Sequence, residues 1–73
     1  MTVTHEHEQT REYRVAGMTC AHCVLSVREE VSELPGVSAV DVELASGRLT
    51  VVGAGVQDDA VRAAVAEAGY QVL

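Results

Sequence analysis

Cys20 and Cys23, the two cysteines of the chain, stand three positions apart in the stretch Gly17-Met18-Thr19-Cys20-Ala21-His22-Cys23. Sulfurs at that spacing fit within one turn at the mouth of a helix, close enough to close on a single ion or to form a disulfide. A bridge across so short a loop removes little entropy from the unfolded chain, so metal binding or redox chemistry is the stronger expectation. Sulfur ligands bind as thiolates, and a helix N-terminus favours a thiolate through its unpaired amides and the positive end of its dipole. Cys23 stands to gain most, against the general acidity of the chain. Two thiolates alone satisfy a soft monovalent ion such as Cu(I), whereas zinc ordinarily takes four donors and would need others.

The neighbours of the pair have narrower expectations. On a helix, His22 projects about 100° away from Cys23. That places it beside the thiolates, tuning them or simply exposed, rather than as a third ligand. Met18 follows the turn glycine and is expected as a buried plug supporting the loop, not as a thioether ligand. Thr19 is expected to cap the helix through its hydroxyl, and Gly17 to turn the backbone out of the preceding strand.

Positioning these residues requires a strand before them and a helix after. From Glu12 the pattern alternates, Tyr13 and Val15 on one face and Glu12 and Arg14 on the other, as a half-buried strand requires. A helix then runs to about Leu34, with Cys23, Val27, Val31 and Leu34 in one stripe, Val24 beside them, and Arg28, Glu29, Glu30, Ser32 and Glu33 opposite. Leu25 falls off that stripe. Pro35 and Gly36 stop the helix. Val37 to Glu43 reads as a second strand, with Val40, Val42 and Leu44 inward. Ser46-Gly47 makes a tight connection to a third strand carrying Leu49 and Val51. A second helix opens at Gln57 or Asp58, carries Val61, Ala64, Val65 and Ala68 on one side, and ends at Gly69. Tyr70 to Leu73 is β-prone. The order β-α-β-β-α-β predicts an α+β, ferredoxin-like sandwich with two helices on one face of a four-stranded antiparallel sheet.

At 73 residues the chain is one domain. Residues 1–11 are expected to be a flexible tail and 12–73 the domain; His5 and His7 of the tail are assigned no role. With no Phe or Trp, the core must come from Val, Leu, Ala and Met. A net charge of −6 without a single lysine excludes a nucleic-acid footprint. No stretch approaches the roughly 18 apolar residues of a membrane span, and the start of the chain has no secretory pattern. The expectation is a cytoplasmic protein without membrane insertion.

Four stretches, GMTCAHC at 17–23, LPGV at 34–37, VDVELASGRLTV at 40–51 and EAGY at 67–70, give the chain a wider likeness. Residues 12 to 73 resemble the heavy-metal-associated domain family, and most closely its small bacterial copper chaperones. The resemblance implies a Cu(I) ion held by Cys20 and Cys23 on an exposed loop, with Tyr70 beside it. It further implies a non-enzymatic role, in which the ion passes to the metal-binding domain of a copper-transporting P-type ATPase. It leaves open a homodimer bridged by copper through four cysteines. One alternative is a relative that binds zinc, cadmium or mercury. Zinc and cadmium binders tend to place an acidic residue where Thr19 stands, and mercury binders usually carry an export signal. The other is a thiol-disulfide oxidoreductase, which fits less well. The chain is short for that fold, no Trp adjoins the motif, and Pro35 ends a helix instead of facing the dithiol.

Overall fold

The computed structural model describes residues 8–73, so His5, His7 and most of the expected tail lie outside it. Six elements follow in order: β1 (Gln9–Ala16), α1 (Ala21–Ser32), β2 (Val37–Glu43), β3 (Arg48–Gly53), α2 (Asp58–Glu67) and β4 (Gln71–Val72). The strands form one sheet in the order β2-β3-β1-β4, and every neighbouring pair is antiparallel. Both helices pack on one face of it and against each other, as the ferredoxin-like pattern predicts.

Valine alternation is what builds this arrangement. Val15, Leu49 and Val51 from the sheet meet Val27 and Val31 from α1 and Val61, Ala64 and Val65 from α2, with Val56 closing the cluster. Among the described residues no polar or charged side chain is buried. Branched side chains with few rotamers give up little freedom on burial. An entirely aliphatic interior therefore specifies the packing without any buried hydrogen-bond network.

Three expectations about boundaries need correction. β1 begins at Gln9, not Glu12, because Gln9, Thr10 and Arg11 pair with Gly53, Val52 and Val51. Ladder hydrogen bonds use the backbone, so a strand continues through polar residues that show no apolar alternation. Leu44 does not face inward: it sits beyond β2 and is 39% exposed. The strand pairing closes at Glu43 and Arg48, and the chain turns through the four residues 44–47 instead of a two-residue loop. That turn is tied to the sheet at both sides, by Gly47 N to Glu43 O at 2.9 Å and by Val15 N to Gly47 O at 2.7 Å. The last strand is confined to Gln71 and Val72, which pair with Ala16 and Val15.

Strand direction places the β1–α1 loop, the β2–β3 turn and the α2–β4 loop at one end of the sheet. At the other end the connections cross very closely. A Cβ added at Gly53 would run into the Gly36 carbonyl oxygen and come 2.8 Å from Val56 Cγ2. Backbone cannot yield there as a flexible side chain would. Gly53→Ala is therefore expected to lower the unfolding free energy by about 2 kcal/mol, read in urea as a lower midpoint with an unchanged slope. Thiol chemistry at the opposite end should be unaffected.

Candidate metal centre

At the end of β1 the backbone leaves the sheet at Gly17, whose φ of +93° is costly for any residue with a Cβ. Met18 is half-buried against the core, as expected of a plug. The chain then extends through Cys20, at φ −154° and ψ 172°, before entering α1. Cys20, not Thr19, is thus the boundary residue, and no side chain caps the helix. Its carbonyl accepts from the amides of Cys23 at 3.1 Å and Val24 at 3.4 Å. The expected Thr19 hydroxyl cap is wrong by one residue, because the extended segment is longer than the turn glycine suggested.

What Thr19 contributes is its amide. The amides of Thr19 and Cys20 both act on the Cys23 sulfur, where a capping side chain would otherwise engage such donors. Cys23 Sγ and Cys20 Sγ are 3.5 Å apart. That is well beyond the bond length of about 2 Å in a disulfide, and both thiols are free. The two differ in setting: Cys20 is exposed, whereas Cys23, at 8% exposure, opens the buried stripe that continues through Val27 and Val31.

Tyr70 completes the surroundings of Cys23. It is delivered by the end of α2, where Gly69 takes φ +95°. Tyr70 N bonds to Val65 O at 3.1 Å and Gly69 N to Ala66 O at 2.9 Å, the paired bonds of a Schellman closure. β4 then holds the following residues against β1. Fixed on both sides, the Tyr70 hydroxyl lies near enough to the Cys23 sulfur to favour its thiolate. A Cβ at Gly17 would lie 3.4 Å from Tyr70 Cδ1, so the ring occupies the space beside the bare turn.

These contacts settle the electrostatics that composition left open. The Tyr70 hydroxyl and then the Thr19 amide stabilise the Cys23 thiolate, against burial, and bring its pKa from an ordinary 9 down to about 6. The same contact holds the Tyr70 hydroxyl above its usual range, since beside a thiolate it must keep its proton. Direct donors outweigh the diffuse negative charge of the chain. His22 is exposed in the first turn, and among the described residues no group of three or more His, Cys, Asp or Glu gathers as a metal cluster. Of the residues singled out in the sequence, the structure brings together Cys20, Cys23, Tyr70 and the amide of Thr19. Met18 lies beneath them and His22 outside. Amide stabilisation of the Cys23 thiolate was expected from the helix start; that the amides are those of Thr19 and Cys20 is what the sequence did not specify. A glycine followed by an aromatic at the end of the second helix was the available signal for Tyr70.

Two sulfurs, one already disposed to ionise, can hold a soft ion with two bonds and leave it open to further donors. The thiolate near 240 nm should titrate with a midpoint of about 6 for Cys23, and Tyr70→Phe should move that midpoint up. Between about 6 and 9 the unfolded chain carries the proton that the folded chain has lost. Stability of the metal-free protein is then expected to rise with pH across that window and to lose this contribution as pH falls through about 6.

The heavy-metal-associated domain family matches residues 12–71. A stretch of 63 residues is 43% identical to Copper-transporting ATPase 1 of Rhizobium meliloti strain 1021, covering 85% of this chain but only 8% of that protein. The copper chaperone CopZ of Enterococcus hirae is 38% identical over 63 residues, which is 84% of this chain and 91% of that one. Among solved structures, a CopZ metallochaperone superposes with a TM-score of 0.86 at 28% identity, over 89% of this chain and 100% of the other. The chain thus spans less than a tenth of the ATPase and nearly the whole of the chaperones.

Proposed function

The chain belongs to the heavy-metal-associated domain family, and from that premise we propose that it is a Cu(I) chaperone. In this reading Cys20 and Cys23 hold Cu(I) as thiolates and pass it to the metal-binding domain of a copper-transporting P-type ATPase in the cytoplasm. The observation that carries it is the pair of free sulfurs 3.5 Å apart, with no cluster of three donors among the described residues. The likeness to CopZ over most of both chains and to part of a copper-transporting ATPase supports the choice of metal and of recipient.

Transfer follows from coordination number. An ion with two sulfur ligands has room for a third, so a thiolate of the recipient can bind before either Cys20 or Cys23 lets go. The metal crosses through three-coordinate intermediates without being released to water. Exposed Cys20 is the side open to such an approach, while Cys23, held by Tyr70 and the amides, keeps its grip. Among the described residues no helix is long and apolar enough to cross a membrane, which suits a carrier that must diffuse to its recipient.

An anaerobic titration against a Cu(I)-selective chelator, with molecular mass followed in parallel, tests the reading. The wild-type chain should retain one Cu(I), and Cys20→Ser or Cys23→Ser should abolish retention. A copper-bridged homodimer would register as doubled mass. Tighter retention of Zn(II) than of Cu(I), or undiminished retention by either serine variant, overturns the assignment.

A further inference from the structure

The charged residues of this chain are distributed in a way that composition conceals. Between Arg14 and Arg28 there is no Asp, Glu, Lys or Arg; the same holds for 44–47, between Glu43 and Arg48, and for 68–73, after Glu67. These three segments are the β1–α1 loop with the start of α1, the β2–β3 turn, and the α2–β4 loop with β4. Antiparallel topology brings all three loops to one end of the sheet, around Cys20 and Cys23. The net charge of −6 is carried by the rest of the molecule.

Exposure follows the same division. The large apolar side chains left open to solvent among the described residues are Leu25, Leu44 and Leu73, and each lies in one of the three charge-free segments. Leu25, 51% exposed, is on the outward side of α1, four residues after exposed Ala21. Leu44, in the turn strapped to Val15, belongs to the loop that strand pairing brings to the same end as the metal loop. The charges that border the segments face partly inward to one another, as Arg48 does toward Glu43 at 3.5 Å and Glu12 at 3.9 Å. A neutral, apolar centre edged by charges is the anatomy of a protein contact surface, not of an ordinary solvated end.

We infer that this charge-free end is the surface on which the metal-receiving domain docks, that the contact is apolar, and that Leu25 and Leu44 are its flanking contact side chains. The inference rests on the chaperone reading and specifies the recipient's chemistry: thiolates ringed by neutral, apolar surface. A charged group facing this end would lose its hydration without gaining a partner. A second copy of the chain fits the contact locally but brings two bodies of charge −6 together, which repel before they touch. The recipient is accordingly a less acidic domain, and the strength of docking does not come from opposite charges.

The test measures Cu(I) transfer from this chain to the rhizobial ATPase domain that it matches, by stopped flow at several salt concentrations. Leu25→Glu and Leu44→Glu should each slow transfer about tenfold, with urea midpoints and Cu(I) retention unchanged, because both side chains are exposed. Glu33→Gln, at the distant end of α1, should transfer as wild type does. The wild-type rate should vary less than about twofold between 0.05 and 0.3 M salt, a range over which charge-driven docking weakens strongly. Transfer by both leucine variants at the wild-type rate, a steep fall with salt, no transfer to this domain, or leucine effects seen only in self-association each overturn the inference. Loss of Cu(I) retention by the wild-type chain would instead remove the chaperone reading on which it rests.

Discussion

The sulfur of Cys23 is where the fold and the chemistry share an atom. Its residue begins the buried stripe of α1, followed by Val27 and Val31, so the register that packs the helix on the sheet also fixes the sulfur. Groups far apart in sequence then act on it, the Thr19 and Cys20 amides from the entry loop and the Tyr70 hydroxyl from the loop after α2. A thiol placed in an aliphatic interior would ordinarily stay protonated. Here the boundary position reverses that outcome, because the helix start supplies hydrogen-bond donors that the interior lacks.

Cys20 shows the complementary half of the arrangement. As the boundary residue it has extended backbone and an exposed side chain, so its sulfur is not tied to the packing of α1. One sulfur is positioned by the core and one is free to adjust, and an exchange of ligands needs both properties. A site with two buried sulfurs would bind and not release; one with two exposed sulfurs would have no fixed geometry to which the ion returns. The end around the pair is neutral as well, and neutral surface can lose water without leaving a charge unsolvated.

Fold class was legible in the sequence because valine alternation is a direct imprint of burial. Val15, Val27, Val31, Leu49, Val51, Val61 and Val65 are all in the core, and each was readable from periodicity. Where backbone hydrogen bonds decide instead, the sequence carried less. Gln9 to Arg11 continue β1 through the ladder to β3 with no apolar mark, and Leu44 satisfies the alternation of β2 but lies past the last paired residue. The cysteine pair was legible from spacing alone, and Tyr70 through family likeness. The one-residue error at Thr19 has a physical origin: threonine at a helix start signals a cap, but here the competing acceptor is the sulfur of Cys23, four residues on.

Comparison of the two helix starts explains why that acceptor prevails. α2 begins conventionally, with Asp58 and Asp59 in its first turn, carboxylates that complement the positive end of the dipole and so stabilise the helix. Asp58 is further tied to Arg62 at 2.8 Å. α1 has no acidic residue in its first turn and no side-chain cap, so its dipole and its free amides have no carboxylate to satisfy. A pseudo-symmetric fold thus uses the same electrostatic resource in two ways: the second helix start stabilises the domain, and the first holds a thiolate. Supplying α1 with the acids that α2 has would strengthen the helix and weaken the sulfur's claim on those amides. The absence of charge from Val15 to Val27 therefore has two consequences at once: the helix start stays available to the thiolate, and the surface around it holds no ion whose hydration would be lost on burial.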